Sequence, residues 1–271
     1  MGKYPHGLFT WADLASADVE GAKAFYSGLF GWDAEDQFDP DGNYIYTMFS
    51  KAGSVTAGLG KMPEAMQGQP GMPGGLWSSY INVDDADAVV AKATASGGTV
   101  MMPAMDVMTS GRMAFLIDPT GAMFGIWQPG DHTGAGVFNE HGAMTWNELV
   151  TRDVGGAKSF YEATLGWGFQ LMQEAPEYWA ITLDTKVDGD GDADDNMNGG
   201  IMAIGDDFPP EMPPMWTVYF QVDDSAAAIA KAQELGGSVV FGPMDTNAGI
   251  IVGLADPQGG NFTVIQVATA A

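Results

Sequence analysis

The 271-residue sequence predicts an α+β fold built from four βαβββ modules, and three observations carry that prediction. The chain is written twice. Within each half, strand and helix periodicities alternate twice in the same order. Each half also closes on an Asp-Pro-x-Gly turn between two short apolar runs, the signature of a terminal hairpin.

The repeat comes first because it sets the architecture before any local propensity is consulted. His6, Trp11, Leu14, Asp18, Lys23, Phe25, Tyr26, Gly31 and Trp32 recur without a gap as His141, Trp146, Leu149, Asp153, Lys158, Phe160, Tyr161, Gly166 and Trp167. Further on, Val83-Asp84-Asp85 followed by Gly97-Gly98 returns as Val222-Asp223-Asp224 followed by Gly236-Gly237, and Asp118-Pro119-Thr120-Gly121 returns as Asp256-Pro257-Gln258-Gly259. Two domains are expected, residues 1–133 and 134–271, with the boundary in the glycine-rich stretch Pro129 to Gly142.

Within the first half, Leu8 to Leu14 has strand composition, and Val19 to Phe30 places Val19, Ala22, Phe25, Tyr26 and Leu29 on one helical face that Gly31 ends. Asn43 to Phe49 and Ser54 to Leu59 read as strands joined through Lys51-Ala52-Gly53. The order then restarts. Trp77 to Val83 reads as a strand, Asp85 to Ser96 as a helix closed by Gly97-Gly98, and Met113 to Ile117 with Met123 to Gln128 as a hairpin. Mixed sheets that curl, with helices on their outer faces, satisfy this pattern.

Ten Lys plus Arg against 35 Asp plus Glu leave a net charge of −25, which repels nucleic-acid phosphate and anionic membrane surfaces. The absence of cysteine excludes disulfides, thiolate nucleophiles and thiolate metal sites. No signal peptide stands at the start of the sequence, and no apolar run approaches the ~18 residues of a spanning helix. The expectation is a cytoplasmic protein. The patterns that mark nucleotide loops, serine hydrolases and zinc proteases are absent.

The run from Asp18 to Trp32, the Val-Asp-Asp helix ending in Gly-Gly and the Asp-Pro-x-Gly hairpin together resemble the glyoxalase, bleomycin-resistance and extradiol dioxygenase superfamily, the vicinal oxygen chelate (VOC) proteins. The resemblance covers nearly the whole chain and implies two cup-shaped, glyoxalase-like domains. It also implies a divalent metal in each cup, held by His, Glu or Gln from the first and last strands of the two modules. At the corresponding positions this chain has Trp11 and Trp146, Ser78 and Thr217, and Gly125 and Thr263. The remaining position falls within Val55 to Leu59 or Gly199 to Ile204, where no His, Glu or Gln occurs. Indole nitrogen carries a proton and cannot ligate, so the expectation is a cup without the usual metal and no other cofactor.

His6 and His141 precede their strands by too much to reach a ligand position, and the expected role is a capping hydrogen bond at strand entry. A slipped register would make them ligands. His132, in the linker, has no counterpart and reads as structural. Asp13 and Glu148 stand two residues beyond Trp11 and Trp146, so strand alternation places each on the face of its tryptophan. There a carboxylate is either a candidate proton carrier or a buried acid bonded to backbone amides. The same alternation nominates Phe9, Tyr80 and Trp127 as ligand-contacting residues of the first cup, and Met144, Tyr219 and Ile265 of the second; core packing predicts the same residues.

The aspartates between Asp184 and Asp195 invite a calcium reading, but Ala193 and Gly199 stand where a calcium loop of the EF-hand type has glycine and glutamate. A solvated loop fits better. Three functions follow as expectations. The first is binding of a small, partly aromatic or carbonyl-bearing molecule without the usual divalent metal. The second is a glyoxalase-like lyase, isomerase or hydroxylase-like enzyme using Asp13 and Glu148. In the third, one cup is only a structural partner of the other. The chain is expected to be a monomer of two pseudo-symmetric domains or a homodimer.

Overall fold

Aspartate caps decide where the helices begin. A computed structural model of the chain describes residues 4–69, 71–184, 196–205 and 208–268. The first module is β1 (Phe9–Ser16), α1 (Val19–Phe30), β2 (Asp33–Phe38), β3 (Tyr44–Lys51) and β4 (Ser54–Lys61). The second is β5 (Gly75–Asn82), α2 (Ala86–Ala95), β6 (Thr99–Val107), β7 (Gly111–Ile117) and β8 (Met123–Pro129). The third is β9 (Met144–Thr151), α3 (Val154–Leu165), β10 (Gly168–Glu174), β11 (Glu177–Thr182) and β12 (Met197–Ala203). The fourth is β13 (Met215–Gln221), α4 (Ser225–Glu234), β14 (Ser238–Thr246), β15 (Gly249–Ala255) and β16 (Asn261–Val267). Ahead of the four helices, Asp18, Asp85, Asp153 and Asp224 each accept a backbone N–H from the residue three positions on, at 2.8–3.0 Å.

Two eight-stranded mixed sheets result, ordered β2-β3-β4-β1-β5-β8-β7-β6 and β10-β11-β12-β9-β13-β16-β15-β14. The first and last strands of a module pair in parallel, as in Asp13↔Gly58 and Glu148↔Gly200, while the hairpins are antiparallel. The Lys51-Ala52-Gly53 turn closes as predicted, with both Ala52 and Gly53 at positive φ, the twist that matches a tight hairpin. In the first half, the strands not located from the sequence are β2 and β6, the two edges of their sheet, and their counterparts β10 and β14 are the edges of the other. An edge strand need not bury a face, so its hydrophobic pattern is weak, and β6 and β14 carry Pro103 and Pro243 within stretches of shifted register.

The chain divides into two compact units. The first comprises Met1–Trp11, Ser79–Gly134 and Trp146–Trp216, and holds most of the second and third modules. The second comprises Ala12–Ser78, Ala135–Thr145 and Thr217–Ala271, and holds most of the first and fourth. Each unit therefore joins a module from one half of the sequence to a module from the other, and the joints are alike.

In the first unit, Tyr161 on α3 donates its hydroxyl to Asp118 Oδ2 at 3.0 Å and accepts from Trp216 Nε1 at 2.8 Å. The other oxygen of Asp118 receives the amides of Thr120, Gly121 and Ala122, so the Asp-Pro-Thr-Gly turn and the helix are tied through one carboxylate. In the second unit, Tyr26 donates to Asp256 Oδ2 at 2.9 Å and accepts from Trp77 Nε1 at 2.8 Å. Burial pushes the Tyr26 and Tyr161 ionisations well up and holds the Asp256 carboxyl above its usual range, against the hydrogen bonds that favour its charge.

The Gly-Gly pairs that follow α2 and α4 serve the same joints. Gly97 and Gly236 take positive φ, while a β-carbon at Gly98 or Gly237 would lie 2.9 Å from Phe160 or 2.8 Å from Phe25. One repeated residue has changed partner. Lys23 pairs with Asp36 at 2.7 Å and Glu20 at 2.6 Å, whereas its counterpart Lys158 lies over the Trp179 ring, 3.0 Å from the centroid.

Tyr26→Phe and Tyr161→Phe each leave a buried carboxylate and an indole N–H short of a partner, so each is expected to lose about 1–3 kcal/mol of unfolding free energy in urea titration. Losses within a few tenths of a kcal/mol would show that these bonds do not hold the units together.

Candidate functional site

Strand alternation puts Trp146 and Glu148 on one face of β9, and parallel pairing sets Glu148 beside Gly200 of β12. Tyr178 of β11 lies across that glycine. A β-carbon at 200 would collide with the Tyr178 hydroxyl and stand 3.1 Å from Trp146 Nε1, so glycine is what lets the phenol lie against the strand. Trp146 Nε1 donates to Tyr178 Oη at 2.9 Å, and the Tyr178 hydroxyl is hydrogen-bonded to Glu148. Since the indole can only donate, the phenol passes its own proton toward the carboxylate. Burial first, and the Glu148 charge second, push the Tyr178 ionisation far above the usual range, so the phenol stays a donor. All of these residues lie in the first unit.

The second unit repeats the arrangement with a shorter acid. Asp13 of β1 pairs with Gly58 of β4, and Tyr46 of β3 donates its hydroxyl to Asp13 Oδ2 at 3.0 Å. Here too a β-carbon on the glycine, Gly58, would collide with the tyrosine hydroxyl.

Trp11, two residues before Asp13, belongs to the first unit and has a different neighbour. The His132 ring stands nearly perpendicular to Trp11, 4.5 Å between centroids at 79°, and 5.7 Å from Trp127. The segment that carries it is fastened by Gly130 N and His132 N to Ser110 O, by Asp131 N to Thr109 O, and by Trp127 Nε1 to His132 O at 2.9 Å. His132 Nε2 is buried and has no hydrogen-bond partner among the described residues. Burial lowers the pKa of this imidazole, which keeps it neutral.

The other nominated residues are placed as follows. Tyr80 and Trp127 are nearly buried; Tyr80 lies over Gly125, where a β-carbon would be 2.7 Å from its ring, and packs on Phe115 at 5.3 Å. Phe9 packs 5.0 Å from Trp216 and 5.6 Å from Trp167 in an aromatic core. Met144, Ser78 and Ile265 are buried, Tyr219 pairs in register with buried Thr263, and Thr217 is half-buried. His6 Nδ1 accepts the Asp84 amide at 3.2 Å and His141 Nδ1 the Asp223 amide at 3.1 Å, the capping role expected of them. Tyr46 and Tyr178 were not nominated. The signal was present, since both tyrosines belong to the hairpins that precede the glycine-bearing strands, but unequal loops hide the correspondence.

The residues present do not fit a divalent metal at the family positions. Trp146 Nε1 is a donor already engaged with Tyr178, and among the described residues no three His, Cys, Asp or Glu side chains converge as a metal site would require. The aspartates at 188–195 lie outside the described residues, so the calcium reading is not addressed. Among the described residues no helix is long and apolar enough to cross a membrane.

These features define a tandem protein of paired βαβββ modules, and the chain belongs to the glyoxalase/bleomycin resistance protein/dioxygenase superfamily, whose family model matches residues 8–126 and again 143–264. It is 41% identical over 270 residues to CFP32 of Mycobacterium tuberculosis, named as a proposed glyoxylase, covering 98% of this chain and 97% of that protein. It is 38% identical over 279 residues to the anthracycline biosynthesis protein DnrV of Streptomyces peucetius, covering 98% and 96%. In fold it is similar to the Mn(II)-bound glyoxalase from Novosphingobium aromaticivorans, with a TM-score of 0.62, 14% identity and coverage of 98% and 84%. The 2,3-dioxygenase LapB from Pseudomonas sp. KL28 gives 0.60, 14%, and 96% and 92%.

Ultraviolet titration is expected to show Tyr178 ionising after ordinary tyrosines, and Glu148→Gln to bring it earlier; an unchanged curve in that variant would remove the coupling. A second expectation concerns pH. Burial lowers His6, His132 and His141 below the usual imidazole value of about 6.5, so the folded chain binds fewer protons than the unfolded chain. The stability they contribute is present above that value and lost as pH falls from it through the lowered values of the folded chain. Thermal melts of His132→Phe should have a shallower slope in that window than the native protein.

Proposed function

We propose that the protein binds a small, partly aromatic or carbonyl-bearing molecule in one or both of its cups, with the Trp146–Tyr178–Glu148 face as the contact, and without a divalent metal at the family positions. The observation that carries this reading is the indole at the place of the metal ligand, joined through a phenol to a carboxylate. That set offers a ring for stacking beside a hydrogen-bond acceptor. The name of DnrV, an anthracycline biosynthesis protein, is in keeping with an aromatic ligand.

One observation favours a second reading. In both halves a carboxylate is fixed by a tyrosine over a glycine, and a held acid suits proton transfer as well as recognition. On that reading Asp13 and Glu148 carry protons in a glyoxalase-like lyase, isomerase or hydroxylase-like reaction, with Tyr46 and Tyr178 keeping them in place. The name of CFP32 is in keeping with it.

Metal analysis of the native protein, combined with thermal-shift screening of hydroxylated and quinonoid aromatics before and after chelation, separates the readings from a metal-dependent one. Ligand-induced shifts should survive chelation. Stoichiometric Ni, Fe, Mn or Zn whose removal abolishes binding or turnover would overturn the first reading. If the proton-transfer reading holds, Asp13→Asn and Glu148→Gln lower turnover at least a hundredfold with melting temperature retained.

A further inference from the structure

The two tryptophans at equivalent places on β1 and β9 differ in what meets them. Trp11 is 4% exposed, with the His132 imidazole nearly perpendicular to it; Trp146 is half-buried and is engaged through its Nε1 with Tyr178. Both tryptophans and His132 belong to the first unit. The tilt of His132 on Trp11, 79° at 4.5 Å, is the edge-to-face geometry that an aromatic ligand adopts on an indole.

The imidazole leaves one of its nitrogens without a hydrogen bond among the described residues. Its Nε2 is buried without a partner among the described residues, an unfavourable arrangement for a polar atom. Four bonds hold the segment Gly130 to His132, and all of them involve backbone groups of that segment; the ring makes none of the four. The backbone is thus fastened independently, and the ring is carried into the space between Trp11 and Trp127. The sequence of the second half writes no ring at the corresponding position. Gln128 and Gln266 correspond, since they accept the first amides of α2 and α4, and the residue four beyond Gln266 is Ala270 where the first half has His132.

We infer that the two tryptophan sites are unequal: Trp146 is the site open to an aromatic ligand, and the Trp11 site is filled from within by His132, which stands where a ligand ring would stack. This rests on the reading that the protein binds an aromatic small molecule. It follows that the chain takes one ligand, not two, and that the His132 ring is an internal competitor at the other position.

The test is titration calorimetry of the full chain with naphthol as probe. The native protein should bind one naphthol per chain, Trp146→Ala none, and His132→Ala two, while His132→Phe, which restores a ring, returns to one. Two molecules bound by the native protein, or one bound unchanged by both Trp146→Ala and His132→Ala, would overturn the inference and leave the aromatic-binding reading intact. Absence of binding to all four proteins would overturn both. A measurement on the native chain guards against variants that fail to fold. Among the indole N–H resonances of the eight tryptophans, naphthol should shift that of Trp146 and leave that of Trp11 in place. A shift at Trp11 instead would overturn the inference.

Discussion

The hydrogen-bonded set of indole, phenol and carboxylate inside each unit is the constraint on which the fold depends. A buried carboxylate is unfavourable unless its oxygens are occupied, and Asp118 shows how that is met: one oxygen closes its own turn and the other receives a tyrosine from a helix in the other half of the sequence. Asp256 and Tyr26 repeat the solution. The aspartate of the Asp-Pro-x-Gly motif is therefore both a turn residue and the anchor of a distant helix. This double duty makes the units from modules that are far apart in sequence.

The candidate site uses the same chemical vocabulary at the opposite end of its strength. There too an indole donates to a phenol and the phenol meets a carboxylate, but Trp146 and Tyr178 are half-buried and the glycine beneath the phenol leaves the group lying along a strand. Where members of the family present a metal ligand, this chain presents a donor. On the proposed reading, that donor suits the site to rings and hydrogen bonds rather than to coordinating lone pairs.

Much of the fold was legible because the repeat and the caps are written in residues whose physics is local. Asp18 and Asp85 mark helix starts, and Gly31 and the Gly-Gly pairs mark helix ends, whatever the tertiary context. The edge strands β2, β6, β10 and β14 were not legible. Asp-Ala-Glu-Asp-Gln-Phe of β2 has no buried face to impose alternation, and β6 is interrupted by Pro103. Of the site, Trp146 and Glu148 could be placed from alternation along one strand. Tyr46 and Tyr178 could not, because their positions depend on hairpin register across loops of unequal length. Phe9 shares the alternation of Trp11 yet packs in the aromatic core, since period alone does not say how far along a strand one environment extends. His132 reads as structural in sequence and is so in its backbone, while its ring stands against the tryptophan of the site.

The changed partner of the repeated lysine carries a consequence for how this acidic chain meets its solution. Lys23 is gripped by full charges on Glu20 and Asp36, an attraction that dissolved ions weaken. Lys158 rests on the quadrupole of an indole, with Glu177 and Glu162 acting on its charge without pairing to it directly. Brine therefore acts on α1 through direct ion pairs and on α3 only through the field of those glutamates, even as it quiets the mutual repulsion of a molecule bearing a charge of −25. Two copies of one ancestral module have thus acquired different sensitivities to ionic strength.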